Sequence, residues 1–195
     1  MFGRKSKGSK DFPTFEAARA ACETYEDPQL AANVAEVTKS YRDQLSSNRS
    51  EVTLDGMSTR RLWIFSRILE GADNVRVLDL GGAAGEHFFE ILAYFGARAP
   101  SRWAVVETEA MVDASKPLEN GQLSFHRTPE EAVEAMGGVD VVFSSGTLQC
   151  FPDPVKTLED LCQIGARWLV ITRFAVSGDD EVHYIVEESK VRHHG

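Results

Sequence analysis

The run Asp79-Leu-Gly81-Gly82-Ala83-Ala84-Gly85 has the residue types and spacing to do chemistry. An apolar, β-rich stretch precedes it and a helical pattern follows, which predicts a tight turn at the carboxyl end of a strand. Open α/β sheets bind ligands there. Small residues let the backbone approach a ligand, and glycine tolerates positive φ. The helix that follows offers unpaired N–H groups and positive potential to a carboxylate. The dinucleotide fingerprint GxGxxG requires glycine where this run has Ala83. What remains is DxGxxxG, suited to a ligand that lacks a pyrophosphate and bears an amino-acid end. Glu107 ends a second apolar run, 103–107, where its carboxylate is placed to accept the hydroxyl protons of a ribose. S-adenosyl-L-methionine (SAM) has both an amino-acid end and a ribose. A nicotinamide dinucleotide on the same sheet is the competing ligand, and it would need this turn to accept a pyrophosphate.

The elements that position these residues follow from periodicity. From residue 75 onward, short β-rich runs alternate with helical ones, as in βαβ units around a parallel sheet. Strands are predicted over 75–80, 103–107, 123–126, 139–144 and 168–174, with helices over 86–95, 109–115, 129–136 and 154–162. Thr128-Pro-Glu-Glu131 reads as a capping box and Asp153-Pro154 as an acidic N-cap. The expected fold class is therefore α/β, a doubly wound, mostly parallel sheet of Rossmann-like form.

Before residue 74 the pattern is helical. Phe15, Ala18, Cys22 and Tyr25 share one face, and Asp27-Pro28 opens a helix expected to run to 45. The polar run 46–50 should break that helix. After Asp55-Gly56, a stripe of Leu62, Phe65, Ile68 and Leu69 predicts another. The expected division is a solvated, disordered tail over 1–11, a helical extension or lid over 12–73 and a ligand-binding α/β domain over 74–195. The 195 residues, 43% of them apolar, are enough for one sizeable core.

Lys and Arg total 21 against 30 Asp and Glu, a formal charge of -9 that disfavours nucleic acid and anionic membranes as partners. No apolar run approaches the roughly 20 residues needed to span a bilayer. Cys22, Cys150 and Cys162 are distant and lack CxxC pairing, and the five histidines show no metal-ligand spacing. No disulfide framework and no metal are expected, and a reducing, cytoplasmic setting fits. His193 and His194 sit at the extreme C-terminus.

The DxGxxxG turn and the acid after the second strand resemble the class I SAM-dependent methyltransferase superfamily. More narrowly, the chain resembles a family of bacterial proteins assigned as methyltransferases by that fold. The shared features are Phe15-Glu-Ala-Ala18, Tyr25-Glu-Asp-Pro28, Leu78-Asp-Leu-Gly-Gly82, the stretch 103–107, and Ser144-Ser-Gly-Thr-Leu-Gln149 followed by Pro152-Asp-Pro154. The resemblance runs from about residue 12 to about residue 187. It implies SAM as cofactor, with Asp79, Gly81, Gly82, Ala83 and Gly85 along the methionine and sulfonium side and Glu107 on the ribose. Thr128, beside Arg127, would pass the adenine, and Ser144, Ser145 and Gln149 would sit by the transferred methyl; simple strand termination is the other reading of the two serines. The acceptor is expected to be a small molecule. Should the acceptor need a base, His126 and Asp153 are the candidates, while Gln149 can only orient. A SAM-binding protein without catalysis is the alternative. Such sheets usually close with an antiparallel pair after the fifth strand, whereas here only one extended run, 182–186, follows. That shortened C-terminal end leaves a sheet edge to the N-terminal helices, to a second copy in a homodimer, or to nothing.

Overall fold

The computed structural model of the chain describes residues 11–48, 52–176, 178 and 181–186. The expected tail, apart from Asp11, and the terminal histidines lie outside these residues. The N-terminal region forms β1 (Asp11–Phe12), α1 (Phe15–Arg19), α2 (Pro28–Asn48) and α3 (Gly56–Ile68). Then follow β2 (Arg76–Leu80), α4 (Glu86–Phe95), β3 (Arg102–Val106), α5 (Glu109–Ser115), β4 (Leu123–His126) and α6 (Pro129–Met136). The series ends with β5 (Val141–Ser145), α7 (Pro154–Gln163), β6 (Trp168–Thr172) and β7 (Tyr184–Ile185).

Five of these strands form a sheet of order β4-β3-β2-β5-β6, every pair parallel. The fold class is thus α/β and doubly wound. The order reverses between β2 and β5, and the crevice above their carboxyl ends is the position where such sheets take ligands. Register fixes what lies at that end: Leu80 pairs with Val106 on one side and with Ser144 on the other.

Side chains alternate across the strands, so each face has its own core. Val77, Trp103, Val105, Leu123, Val141 and Phe143 pack with α2, α3, α4 and α5 on one face. Leu78, Leu80, Ala104, Val106 and Val142 pack with Ala132 and Met136 of α6 and Leu161 of α7 on the other. The stripe expected on α3 packs as read, with Phe65 and Ile68 buried and Leu62 and Leu69 half-buried against the first core. The caps also form as read. Asp27, Thr128 and Asp153 accept from the backbone N–H groups of Leu30, Glu131 and Lys156, and Glu131 reaches back to the N–H of Arg127.

Four expectations need correction. The helical face drawn through Phe15 and Tyr25 stops early, because α1 ends at Arg19 and the chain is irregular from there to α2. The Thr108 hydroxyl donates to the Tyr25 carbonyl at 2.6 Å. Helix α2 continues past residue 45 to Asn48, since Ser46 and Ser47 return their hydroxyls to the carbonyls of Arg42 and Asp43 instead of breaking it. Strand β6 stops at Thr172, where Arg173 turns to φ 55°. Asp11, assigned to the tail, is in a strand: β1 pairs antiparallel with β7, Asp11 with Ile185 and Phe12 with Tyr184. The late extended run therefore meets the start of the described chain and not the sheet, and β6 is an edge with Trp168 41% and Leu169 38% exposed.

One buried ionic cluster ties the N-terminal helices to the sheet layer. Glu90 of α4 is 1% exposed and pairs with Arg61 of α3 at 2.9 Å. Its Oε1 also accepts from the Tyr41 hydroxyl of α2 at 2.8 Å and the Ser58 hydroxyl of α3 at 2.7 Å. Burial and the Glu90 charge push the Tyr41 hydroxyl far above the usual tyrosine range, so it stays a donor. Removing one partner of a buried pair leaves an uncompensated charge, which costs about 3–5 kcal/mol. Arg61→Met is expected to lower unfolding stability by that order in a denaturant titration. The double variant Arg61→Met, Glu90→Leu is expected to recover most of the loss.

Candidate functional site

The turn after β2 is built by left-handed backbone at Gly81 (φ 73°), Ala83 (φ 48°) and Gly85 (φ 85°). Two of these are glycines, and the alanine is the smallest side chain that bears the strain. The space their missing side chains would fill is taken by the protein itself. A Cβ on Gly82 would come within 2.6 Å of the Asp79 Cγ, and one on Gly81 within 2.6 Å of the Thr147 Cβ. Gly85 sits 3.2 Å by the same measure from Leu123. These glycines are therefore demanded by packing from beneath and beside the turn.

Asp79 supplies that packing. Strand alternation turns it into the face shared with α3 and α4, where it is 0% exposed. Its Oδ2 accepts from the Trp103 indole N–H at 3.2 Å and lies 2.9 Å from the His87 Nδ1 of α4. The surroundings are aromatic: Phe65 stacks 5.2 Å from Trp103, and His87 meets Phe143 edge-on at 5.3 Å. Asp79 Oδ1 is buried with no hydrogen-bond partner.

Glu107, one residue beyond β3, closes on the turn from the other side. Its Oε1 accepts from the Ala83 N–H at 3.1 Å and its Oε2 from the Thr108 N–H at 2.9 Å. The acid after the second strand and the small-residue turn after the first thus meet. A carboxylate offers about four lone-pair positions, so roughly two remain on the half-buried Glu107, enough for a vicinal diol. Burial pushes its carboxyl above the ordinary glutamate range, against the two N–H bonds that lower it, and Asp79 adds to the rise.

Sequence reasoning missed three groups that complete this cleft. The Tyr25 backbone is tied to Thr108, next to Glu107, by the bond to its carbonyl. The Tyr25 hydroxyl is pushed up by burial and then by the charges of Glu107 and Glu86, while Arg173 pulls it down. Thr147 Oγ1 reaches the Gly81 carbonyl at 3.4 Å. Arg173 packs its guanidinium against Gly146, where a Cβ would lie 3.2 Å from its Cζ. The Tyr25-Glu-Asp-Pro28 run was visible, but nothing in its pattern said where the ring would go. The contact of Arg173 depends on a positive φ that sequence does not reveal.

Other expected residues are brought near or held away. Ser144 is 1% exposed and donates to the Leu80 carbonyl at 3.1 Å, while Ser145 is half-buried at the end of β5 beside Gly146. Gln149 donates from Nε2 to the Arg173 carbonyl at 3.4 Å. Thr128 lies beyond the outer strand β4 with its hydroxyl occupied in capping α6. His126 shares the α6 face with Ser124, whose hydroxyl is 2.9 Å from its Nε2, and burial lowers its pKa. Asp153 caps α7. Among the described residues no group of His, Cys, Asp and Glu is placed to hold a metal, and no helix is long and apolar enough to cross a membrane. A shallow cleft lined by Asp73, Asn74, Arg76, Ser101, Arg102 and Asp140 lies at the opposite end of the strands, with Arg76 and Asp140 paired in its wall.

No family model matches the chain and no curated protein is similar to it. Among solved structures it is similar to the plantazolicin methyltransferase BpumL in complex with monoazolic desmethylPZN analog and SAH. Identity is 16% and the TM-score 0.44, covering 79% of this chain and 61% of that one. The same enzyme in complex with SAH gives 16% and 0.39, covering 74% and 61%. The chain spans less than two thirds of the length of these neighbours.

The raised Glu107 carboxyl has a testable sign. A folded-state pKa above the unfolded one contributes stability that is complete below the unfolded value and is lost as pH rises through the folded value. Thermal melts are expected to show stability falling as pH rises upward from the ordinary glutamate range, on top of other groups. In Glu107→Gln this component should be absent.

Proposed function

We propose that the chain is a SAM-dependent methyltransferase acting on a small-molecule acceptor. The observation that carries this reading is the hydrogen bond from the Ala83 N–H to Glu107, which joins the turn and the acid into a single cleft at the point where strand order reverses. The residues fit the cofactor: Glu107 keeps acceptor capacity for a ribose diol, and the turn leads directly into the N-terminus of α4, suited to a carboxylate. Gly81, Gly82, Ala83 and Gly85 would line the methionine end, with Asp79 holding them from below and Ser145 facing the methyl side. When bound, SAM supplies a sulfonium methyl as the electrophile.

The chain's own contribution is binding, orientation and exclusion of water. Trp103 and His87 fix Asp79, Asp79 sets the turn, and the turn fixes Glu107 through the Ala83 N–H. Tyr25 covers the cleft from the N-terminal extension. A proton released by the acceptor would pass to Glu86 or to solvent. The chain's net charge of -9 supports an acceptor other than nucleic acid. We also infer that the bare edge of β6 pairs with a second copy, an association that ultracentrifugation at rising concentration would detect.

Calorimetric titration with S-adenosylhomocysteine tests the cofactor reading. Saturable binding by the wild type is expected. Losing hydrogen bonds to a charged group costs about 1.5–3 kcal/mol, so Glu107→Ala should weaken binding at least about tenfold. Saturation by NAD without response to S-adenosylhomocysteine would move the assignment to an oxidoreductase. Cofactor binding without methyl transfer from labelled SAM to any component of a cell extract would leave a binding protein.

A further inference from the structure

The surroundings of Asp79 meet its charge only in part. Of its two oxygens, Oδ1 is buried with no hydrogen-bond partner among the described residues, while Oδ2 meets the Trp103 indole N–H and the His87 Nδ1. A carboxylate can only accept, so the proton of the second contact belongs to Nδ1, and a neutral imidazole then carries its lone pair on Nε2. Burying a half-satisfied carboxylate is costly, and the cost falls when the group beside it becomes a cation. Uptake of a proton at Nε2 makes His87 that cation, with Nδ1 2.9 Å from Oδ2.

The free nitrogen is within reach of a ligand. The His87 side chain is 14% exposed, and among the described residues Nε2 has no hydrogen-bond partner. It is not a buried orphan either, since those are Asp79 Oδ1 and Ser115 Oγ. Nε2 therefore opens to solvent, whereas the Nε2 of His126 lies 2.9 Å from the Ser124 hydroxyl. His87 is the second residue of α4, which leaves the turn at Gly85, and the carboxylate that holds its ring underlies Gly82. Its other neighbour is Phe143 of β5, met edge-on, one residue before Ser144 and Ser145. The strand order β3-β2-β5 sets Glu107 and Phe143 on opposite sides of β2. A ligand with its ribose on Glu107 and its length along the turn brings its far end toward His87.

We propose that His87, oriented by Asp79, is the proton acceptor of the cleft, and that the group methylated there bears an O–H or N–H. This deepens the methyltransferase reading and rests on it for the reaction. As the acceptor oxygen or nitrogen bonds the methyl carbon, the carbon–sulfur bond breaks and leaves its electron pair on sulfur. The acceptor's proton moves to Nε2, and Asp79 stabilises the imidazolium until the proton passes on to Glu86 or solvent. Asp79 is a positioning residue, which fixes the ring and its tautomer without touching the acceptor.

Three measurements on the full chain test this. Two-bond proton–nitrogen NMR couplings should show neutral His87 protonated at Nδ1 and bare at Nε2, and the opposite tautomer overturns the proposal. Diethyl pyrocarbonate, which acylates unprotonated imidazole nitrogen, should label His87 in the free wild type, and saturation with S-adenosylhomocysteine should abolish that labelling. His183, with a side chain 37% exposed, is the control and should label equally in both states. In His87→Asn the amide nitrogen takes the place of Nδ1 and keeps the bond to Asp79, so only Nε2 is lost. General-base catalysis is worth about a hundredfold or more, and this variant should transfer labelled methyl from SAM to a cell extract slower by at least that factor. It should still bind S-adenosylhomocysteine as the wild type does. Transfer by His87→Asn at the wild-type rate, or labelling of His87 that ignores S-adenosylhomocysteine while the wild type transfers methyl, overturns the proposal and leaves the methyltransferase reading intact. Shielding of His87 without methyl transfer by the wild type sinks the methyltransferase reading and keeps His87 as a proton acceptor in a ligand cleft.

Discussion

A carboxylate buried among aromatic rings sets the geometry of this protein. Asp79 has no solvent exposure, and one of its oxygens has no partner. Burying such a group is costly, and the cost is met only by contacts of good geometry. Here the indole of Trp103 and the imidazole of His87 supply them from the neighbouring strand and from the helix that follows the turn. Strand β3, helix α4 and the glycine turn therefore meet on a single side chain. The turn cannot move without exposing or orphaning that carboxylate further, so the backbone N–H that meets Glu107 is held in a fixed place.

A second buried acid acts in a similar way farther from the cleft. Glu90 joins α2, α3 and α4 through Tyr41, Ser58 and Arg61, which fixes the N-terminal helices on the sheet that carries the turn. The orientation of α2 in turn places the irregular segment before it over the tip of β3, where Thr108 grips the Tyr25 carbonyl. Two desolvated carboxylates thus organise the molecule, one under the site and one beneath its cover. Each requires hydrogen bonds from more than one element, and packing alone would not specify those partners.

Much of the fold was legible because it rests on local signals. The β-rich runs, the caps at Asp27, Thr128 and Asp153, and the stripe on α3 all depend on residues close in sequence, and apart from the early end of β6 they appear where the pattern put them. The meeting of the turn with Glu107 was also readable, since parallel strands bring their carboxyl ends together. What was not legible depends on contacts distant in sequence. Nothing near Glu90 announces Arg61 or Tyr41, and nothing near Tyr25 announces Thr108. Ser46 and Ser47 looked like helix breakers because their hydroxyls compete for the backbone, but here they return to carbonyls of the same helix and lengthen it. Asp79 was placed on the ligand side by its motif, whereas strand alternation turns its side chain inward.

The short ribbon formed by β1 and β7 changes the topology of the whole chain. It brings residue 11 alongside residue 185, so the described polypeptide runs as a nearly closed circuit with the sheet inside it. In such a circuit the segment carrying Tyr25 is anchored at its start by the last strand and at its end by α2. Its freedom is that of a bridge and not of a dangling arm.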